Sequence, residues 1–339
     1  MLGVFIVPTG IGAEIGGHAG DATPAARLIA ECCNQLIVHP NVVNASDINE
    51  MTDNMLYVEG SILDQFMEGV HNLKQCGTNS ILVAANAPVA EETINAVSAA
   101  RATLGIRVQI VELETELYMR GTIKDRKATG KVEGWLSLVE QVRDMDFTAL
   151  AIHSKIDVPR EDALRYFRSG GINPWGGVEA KASRLIASAI NKPVAHAPLE
   201  NVDDDDKELL EIYKEKIDPR MCAEAVSSCY LHCVLKGLHK APRIVQEGGI
   251  SKWDIDFMIT PDNCFGRPHT ACLAAGIPII IVRENKAYGN YRVPEELGIF
   301  VDTYIEAAGW IMAKRAGVSV ESVRRPIPDT IIMGKGVKV

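Results

Sequence analysis

Apolar residues in this chain come in short unbroken runs that alternate with amphipathic stretches. Leu2 to Val7 is continuously apolar or small, the pattern of a buried strand. A loop with Gly10, Gly12, Gly16, Gly17 and Gly20 follows, and Thr23-Pro24 then marks a helix start, a capping hydroxyl before a proline suited to the first helical position. Ala25 to Leu36 carries Leu28, Ile29, Cys32 and Leu36 on one helical face, Leu36 to His39 reads as a second strand, and Ser61 to Lys74 as a helix. Ser80–Ala85, Val89–Thr103 and Arg107–Leu113 form a strand, helix, strand unit. Glu114 to Gly134 is charged and without clear period, which predicts an exposed excursion. Beyond it the pattern predicts helices over Leu136–Met145, Val178–Ile190, Met221–Leu238, Pro268–Ala275 and Thr303–Arg315, with strands over Ala149–Ser154, Ile255–Ile259 and Ile277–Val282. Strand and helix in alternation mean an α/β fold with mainly parallel sheets. The length, 339 residues, points to two Rossmann-like domains, 1–150 and 151–339, with a cleft between them.

Composition narrows the class. A formal charge of −9 argues against nucleic acid as a partner. No apolar run reaches the roughly 18 residues of a membrane span, and the first residues lack the basic start of a signal peptide, so the expectation is a cytoplasmic or plastid-stroma protein, homo-oligomeric and off the membrane. Eight cysteines, several on apolar helix faces, read as reduced thiols. Cys222, Cys229 and Cys233 have the spacing of a core stripe. Seven residues separate the first two, about 10 Å of helix, which is too far for one compact cluster, so no metal site is expected. The aspartates Asp203 to Asp206 open a helix at its favoured end.

Two stretches carry candidate chemistry. Strand, glycine loop and helix N-terminus make an anion site, with Gly10, Gly12, Gly16 and Gly17 as the approach points. Gly17 is followed by His18 rather than lysine, which excludes the ATPase phosphate loop. The glycine spacing approaches a dinucleotide fingerprint, but no acidic residue ends the next strand to take a ribose hydroxyl. The alternative is that these glycines only pack strand against helix. His18 and Asp21 sit among them as acid–base candidates, and His39, Asn41, Asn86 and His153 fall at carboxyl strand ends, where open α/β sheets bind ligands. The polar loop holding Asn44, Ser46, Asp47, Asn49 and Glu50 is divided between turn-forming and ligand-binding readings. In the second stretch Asp262, Asn263, Arg267 and His269 meet at a strand end and a helix start, and Arg283 and Glu284 leave the following strand. His18, His39, His153 and His269 are the imidazoles suited to proton transfer near neutrality. A second glycine-rich loop, Arg168 to Gly177, carries Trp175 as a packing anchor.

Gly16-Gly17-His18 with Pro24-Ala25-Ala26, and Gly266-Arg267-Pro268-His269-Thr270 through Gly276-Ile277-Pro278 to Glu284, resemble the phosphate-holding loops of two-Rossmann-domain glycosyltransferases and UDP-sugar epimerases. The acidic residue of that family's second cassette is absent here, where Thr270, Ala271 and Cys272 stand. Gly3 to Gly17 and Ala84-Ala85-Asn86-Ala87 resemble aspartate/glutamate racemases, with Ala85 in place of the catalytic cysteine. GGHAGDATPAA and HPNVVNASDINEMTDNMLYVEG resemble, more extensively, an uncharacterised family conserved in cyanobacteria and plastids. That last resemblance implies no activity, and the racemase chemistry does not carry over without its cysteine; the two loops and the first resemblance point to an enzyme for a small anionic metabolite, nucleotide- or phosphate-linked, a transferase or isomerase. The alternatives are a racemase-like enzyme of small carboxylic acids and a non-catalytic binding or assembly protein. The cofactor is left open.

Overall fold

The computed structural model describes residues 1–18, 20–43, 51–199, 216–222, 224 and 229–330. The polar loop Asn44 to Glu50 and the aspartates Asp203 to Asp206 lie outside the described residues.

The largest sheet has six parallel strands: β1 (Leu2–Phe5), β2 (Gln35–Val38), β3 (Met55–Tyr57), and, from the far end of the chain, β13 (Phe257–Cys264), β14 (Ile279–Tyr291) and β15 (Ile299–Val301). Their order is β15-β14-β13-β1-β2-β3, and Gly3 pairs with Phe257 at its centre. A second parallel sheet holds β5 (Ser80–Asn86), β6 (Arg107–Leu113), β9 (Ala149–Ser154) and β11 (Val194–Pro198) in the order β11-β9-β5-β6. Two small sheets complete the set: β4 (Asn72–Lys74) against β12 (Arg243–Val245), and β7 (Tyr118–Lys124) between β8 (Lys127–Glu133) and β10 (Ile156–Asp157). Continuous apolar runs explain the two main sheets, since every residue of β1 and of β9 is buried between helices.

Two apolar cores lie on opposite sheet faces, and each runs from one sheet to the other. One joins Phe5, Val38 and Phe257 to Val83 and Ala151 through the helix Tyr230–His239. The other joins Val4 and Met258 to Leu82 and Ile152 through the helices Gly60–Glu68 and Gly176–Ile190. The chain therefore builds half of the large sheet, then the small sheet, then the other half. A boundary at residue 150 falls inside β9, because β5 and β6 from one side of it pair with β9 and β11 on the other. The local pattern hides this: nothing in it tells β1 to wait for a partner some 250 residues away.

The stretch Glu114–Gly134 is a hairpin, β7–β8, turned by Asp125 and Arg126 with φ of 51° and 59°. Both central residues in the left-handed region make a type I′ turn, normally signalled by Asn-Gly. The predicted helix over Met221–Leu238 is also corrected among the described residues: a 3₁₀ turn covers Pro219–Met221, and the helix begins at Tyr230, so the cysteine stripe is not on one helix. No helix among the described residues is long and apolar enough to cross a membrane.

Candidate functional site

The carboxyl edges of both parallel sheets open onto one cavity of about 930 Å³, a size suited to a small-molecule ligand. The large sheet contributes Pro8 to Gly12 and Gly17 after β1, His39 and Asn41 after β2, Glu59 and Ser61 after β3, and Cys264 to His269 after β13. The small sheet contributes Lys155 and His196, and the helix Gly176–Ile190 lays Glu179, Ser183 and Arg184 along the wall.

Side chains hold the first glycine loop in place. Asn41 Nδ2 donates to Val7 O at 3.0 Å and Gly16 O at 2.6 Å. Asn285, fully buried, donates to Ile15 O and accepts from Ile15 N–H at 2.8 and 2.9 Å. Gly10 O accepts from Ala128 N–H at 2.8 Å, which ties the loop to the hairpin, and a Cβ on Gly12 would come within 3.2 Å of Gly171 O in the second glycine loop. Asp21 Oδ1 accepts from Gly16 N–H at 2.6 Å. Thr23 does not cap the helix that follows; its hydroxyl points to Val42 O.

Burial pushes the Asp21 carboxyl up to about 7. The folded state therefore keeps this proton from pH 4 to 7 while the unfolded chain has released it, and stability falls as pH rises through that window. Asp21→Asn keeps an acceptor for Gly16. Relative to wild type it should gain stability above pH 7, about 2 kcal/mol after discounting for partial exposure, with no gain at pH 4, as read by urea unfolding at the two pH values.

The four candidate imidazoles are all buried, and burial lowers the pKa of each. His18 Nδ1 meets the Tyr166 hydroxyl at 2.7 Å, and that hydroxyl donates to Glu224 at 3.0 Å. His39 lines the cavity but is held at about 4, with Nε2 accepting from Val7 N–H at 2.9 Å. His153 lies on the other face of β9, beneath the helix Glu91–Leu104, bonded to Thr93 at 2.8 Å and held at about 4. His269 lines the cavity, accepts from Gly266 N–H at 3.1 Å, and is also held at about 4. A strand end favours a ligand, but these rings finish the packing of their own loops instead.

Several expected ligand-binding residues have structural work elsewhere. Asn86 exchanges two hydrogen bonds with the Leu117 backbone, Glu284 accepts from Tyr304 N–H at the start of the last long helix, and Arg283 pairs with Asp302 at 3.1 Å. None of these three lines the cavity. Asp262 accepts from Asn263 N–H, Asn263 adopts φ 62°, and Gly16 packs on Val7; these too lie off the cavity wall. Arg267 does line it, but grips Glu68 through two bonds of 2.8 and 2.6 Å.

In their place the structure brings forward His196. Its side chain is 1% exposed, yet the residue reaches the cavity wall; Nδ1 lies 3.0 Å from Glu179 Oε1 and Nε2 3.2 Å from Ser154 Oγ. A carboxylate only accepts, so it fixes the proton on Nδ1 and leaves Nε2 to accept from Ser154. Lys127, Lys155, Arg160, Arg184 and Arg267 line the same cavity, as do Glu59, Asp64, Asp157 and Glu224. Asp64, pushed up to about 6 by burial, lies 3.7 Å from Arg267. The thiol of Cys264 is pushed up to about 12 by burial and donates to Pro261 O, which makes it a poor nucleophile. Among the described residues no three His, Cys, Asp or Glu side chains gather as metal ligands.

Residues 2–324 match a single protein family. The chain belongs to it. That family is described as protein of unknown function DUF3326. An uncharacterised lipoprotein of Synechococcus sp. is 34% identical to this chain, over 94% of it and 92% of the relative. No solved structure matches. The extensive resemblance read from the GGHAGDATPAA segment thus belongs to a whole-chain family relationship.

Proposed function

We propose that the protein is an enzyme that holds a small anionic metabolite, nucleotide- or phosphate-linked, in this cavity and moves a proton on it through His196 and Glu179. The observation that carries the reading is the buried His196–Glu179 pair opening on a cavity at two carboxyl sheet edges. Five basic side chains stand on its wall among as many carboxylates, and they are the groups that would take the anionic part of the ligand by charged hydrogen bonds. Glu179 orients the imidazole and stabilises the imidazolium formed when Nε2 takes the Ser154 hydroxyl proton while that oxygen takes one from the metabolite. An imidazole–carboxylate pair suits isomerisation or group transfer, and Cys264 on the same wall is held as a thiol by burial.

Deuterium labelling tests this. The protein is incubated with a metabolite extract in heavy water, and incorporation is followed by mass spectrometry. A phosphorylated or nucleotide-linked compound should gain deuterium with wild type, and about 10²–10⁴-fold more slowly with His196→Gln. Equal labelling by the variant, or no labelled compound, overturns the reading.

A further inference from the structure

Glu59 is a cavity residue that the proton-transfer pair leaves unused. It stands between β3 and the helix Gly60–Glu68 and is 6% exposed. Its Oε2 takes every hydrogen bond its carboxyl group makes among the described residues: Ser61 N–H at 3.0 Å, Ile62 N–H at 3.1 Å and the Ser61 hydroxyl at 2.5 Å. Oε1 receives none, and it is not one of the atoms sealed in the core without a partner. Since Glu59 lines the cavity, that oxygen is the part of the carboxyl open to it.

A helix cap does not require this arrangement. Serine, threonine, asparagine or aspartate caps with a shorter side chain. Glutamate instead buries a whole carboxyl group, and burial pushes its pKa up despite the three donors on Oε2. The basic side chains against this helix act on its other acids: Arg267 turns to Glu68 and Asp64, and Arg184 acts on Asp64. Nearby carbon from Ile6 and Leu63 also lines the wall and supplies no donor. A carboxylate with one oxygen saturated by dipoles and the other facing a partly apolar wall is completed by a donor that brings positive charge. A phosphate or carbonyl oxygen would meet a lone pair there.

We propose that Glu59 Oε1 binds a protonated primary amine, so that the metabolite carries an ammonium group as well as its anion, as an amino-sugar phosphate does. This rests on the reading of the cavity as a metabolite site and names the substrate class. The ammonium takes Oε1 while the anionic end lies toward the basic side chains of the wall.

The test uses bare butylammonium, with butanol and butyrate as matched controls, and protein carrying ¹³C at the glutamate carboxyl carbons. The resonance missing from Glu59→Gln identifies Glu59. Butylammonium should shift that resonance saturably, at a Kd of about 1–10 mM, and neither control should. Glu59→Gln, which keeps the side-chain size and loses the charge, should weaken butylammonium binding at least tenfold. An unmoved Glu59 resonance, or an equal response to butanol, overturns the proposal, and both are read on wild type even if the variant fails to fold. Equal binding of butylammonium by Glu59→Gln overturns it as well. Deuterium labelling with no response at Glu59 would sink the amine subsite alone. A response at Glu59 with no labelled metabolite would sink the enzyme reading alone.

Discussion

Acidification from pH 7 should unfold the protein cooperatively between about pH 6 and 4. His39, His153 and His269 are buried, and burial lowers each to about 4. The unfolded chain takes up these three protons near pH 6.5 and the native state does not, so stability is present above pH 6.5 and is lost as pH falls toward 4. Each ring contributes about 1.4 kcal/mol per pH unit. Over the window three rings amount to roughly 10 kcal/mol, comparable to the whole stability of a typical domain. The surroundings explain why the rings stay neutral. Desolvation is the largest cause at each of the three, since a charged ring there would give up its water inside an apolar surround. Asp21, Asp64 and Glu59, whose carboxyls burial pushes up, act in the opposite sense and offset part of this loss, while His18, lowered by burial, adds to it. Circular dichroism in a pH series checks this, and a native signal retained at pH 3.5 would show that the charged rings find acceptors.

Gly177→Ala should cost about 3 kcal/mol or more. A Cβ at Gly177 would lie 2.2 Å from the carbonyl carbon and oxygen of Ala128 and 2.6 Å from Thr129 N. All three are backbone atoms of the hairpin, which is itself fixed by Ala128 N–H to Gly10 O and by Lys181 to Gly130 O at 2.8 Å. No side chain can turn aside, so either the hairpin lifts from the helix or the helix shifts. Gly77→Ala is the control, because a Cβ there meets nothing within 4 Å; it should be neutral or slightly stabilising. Urea midpoints compare the two, and a Gly177→Ala midpoint close to wild type would mean that this three-way contact is loose.

The legible part of the sequence was the part governed by local rules. The run Leu2–Val7, the proline at the start of the helix Thr23–Glu31 and the helix around Arg267–Ala275 follow from period and capping, and the structure has them. Placement of candidate groups at carboxyl strand ends was also legible, and it brings Gly10, Gly12, Gly17, His39, Asn41, Arg267 and His269 to one cavity. Which imidazole serves the cavity was not. His196 sits in a five-residue strand, and its partners Glu179 and Ser154 lie 17 and 42 residues away. Glu179 had an adequate local explanation as an acid in a first helical turn. The hairpin was missed because a type I′ turn built from Asp125 and Arg126 lacks the glycine that normally announces it.

The pairing of β1 with β13 also has a meaning for synthesis. The inner edge of β1 cannot acquire its neighbour until Phe257 has left the ribosome. At 5–20 residues per second the interval between making Tyr57 and making Phe257 is roughly 10–40 seconds. During that time the smaller sheet has its complete set of strands, β5, β6, β9 and β11, and can close. The nascent chain thus carries an apolar strand edge that aggregation or a chaperone can reach, and the large sheet, first to be started, is last to be finished.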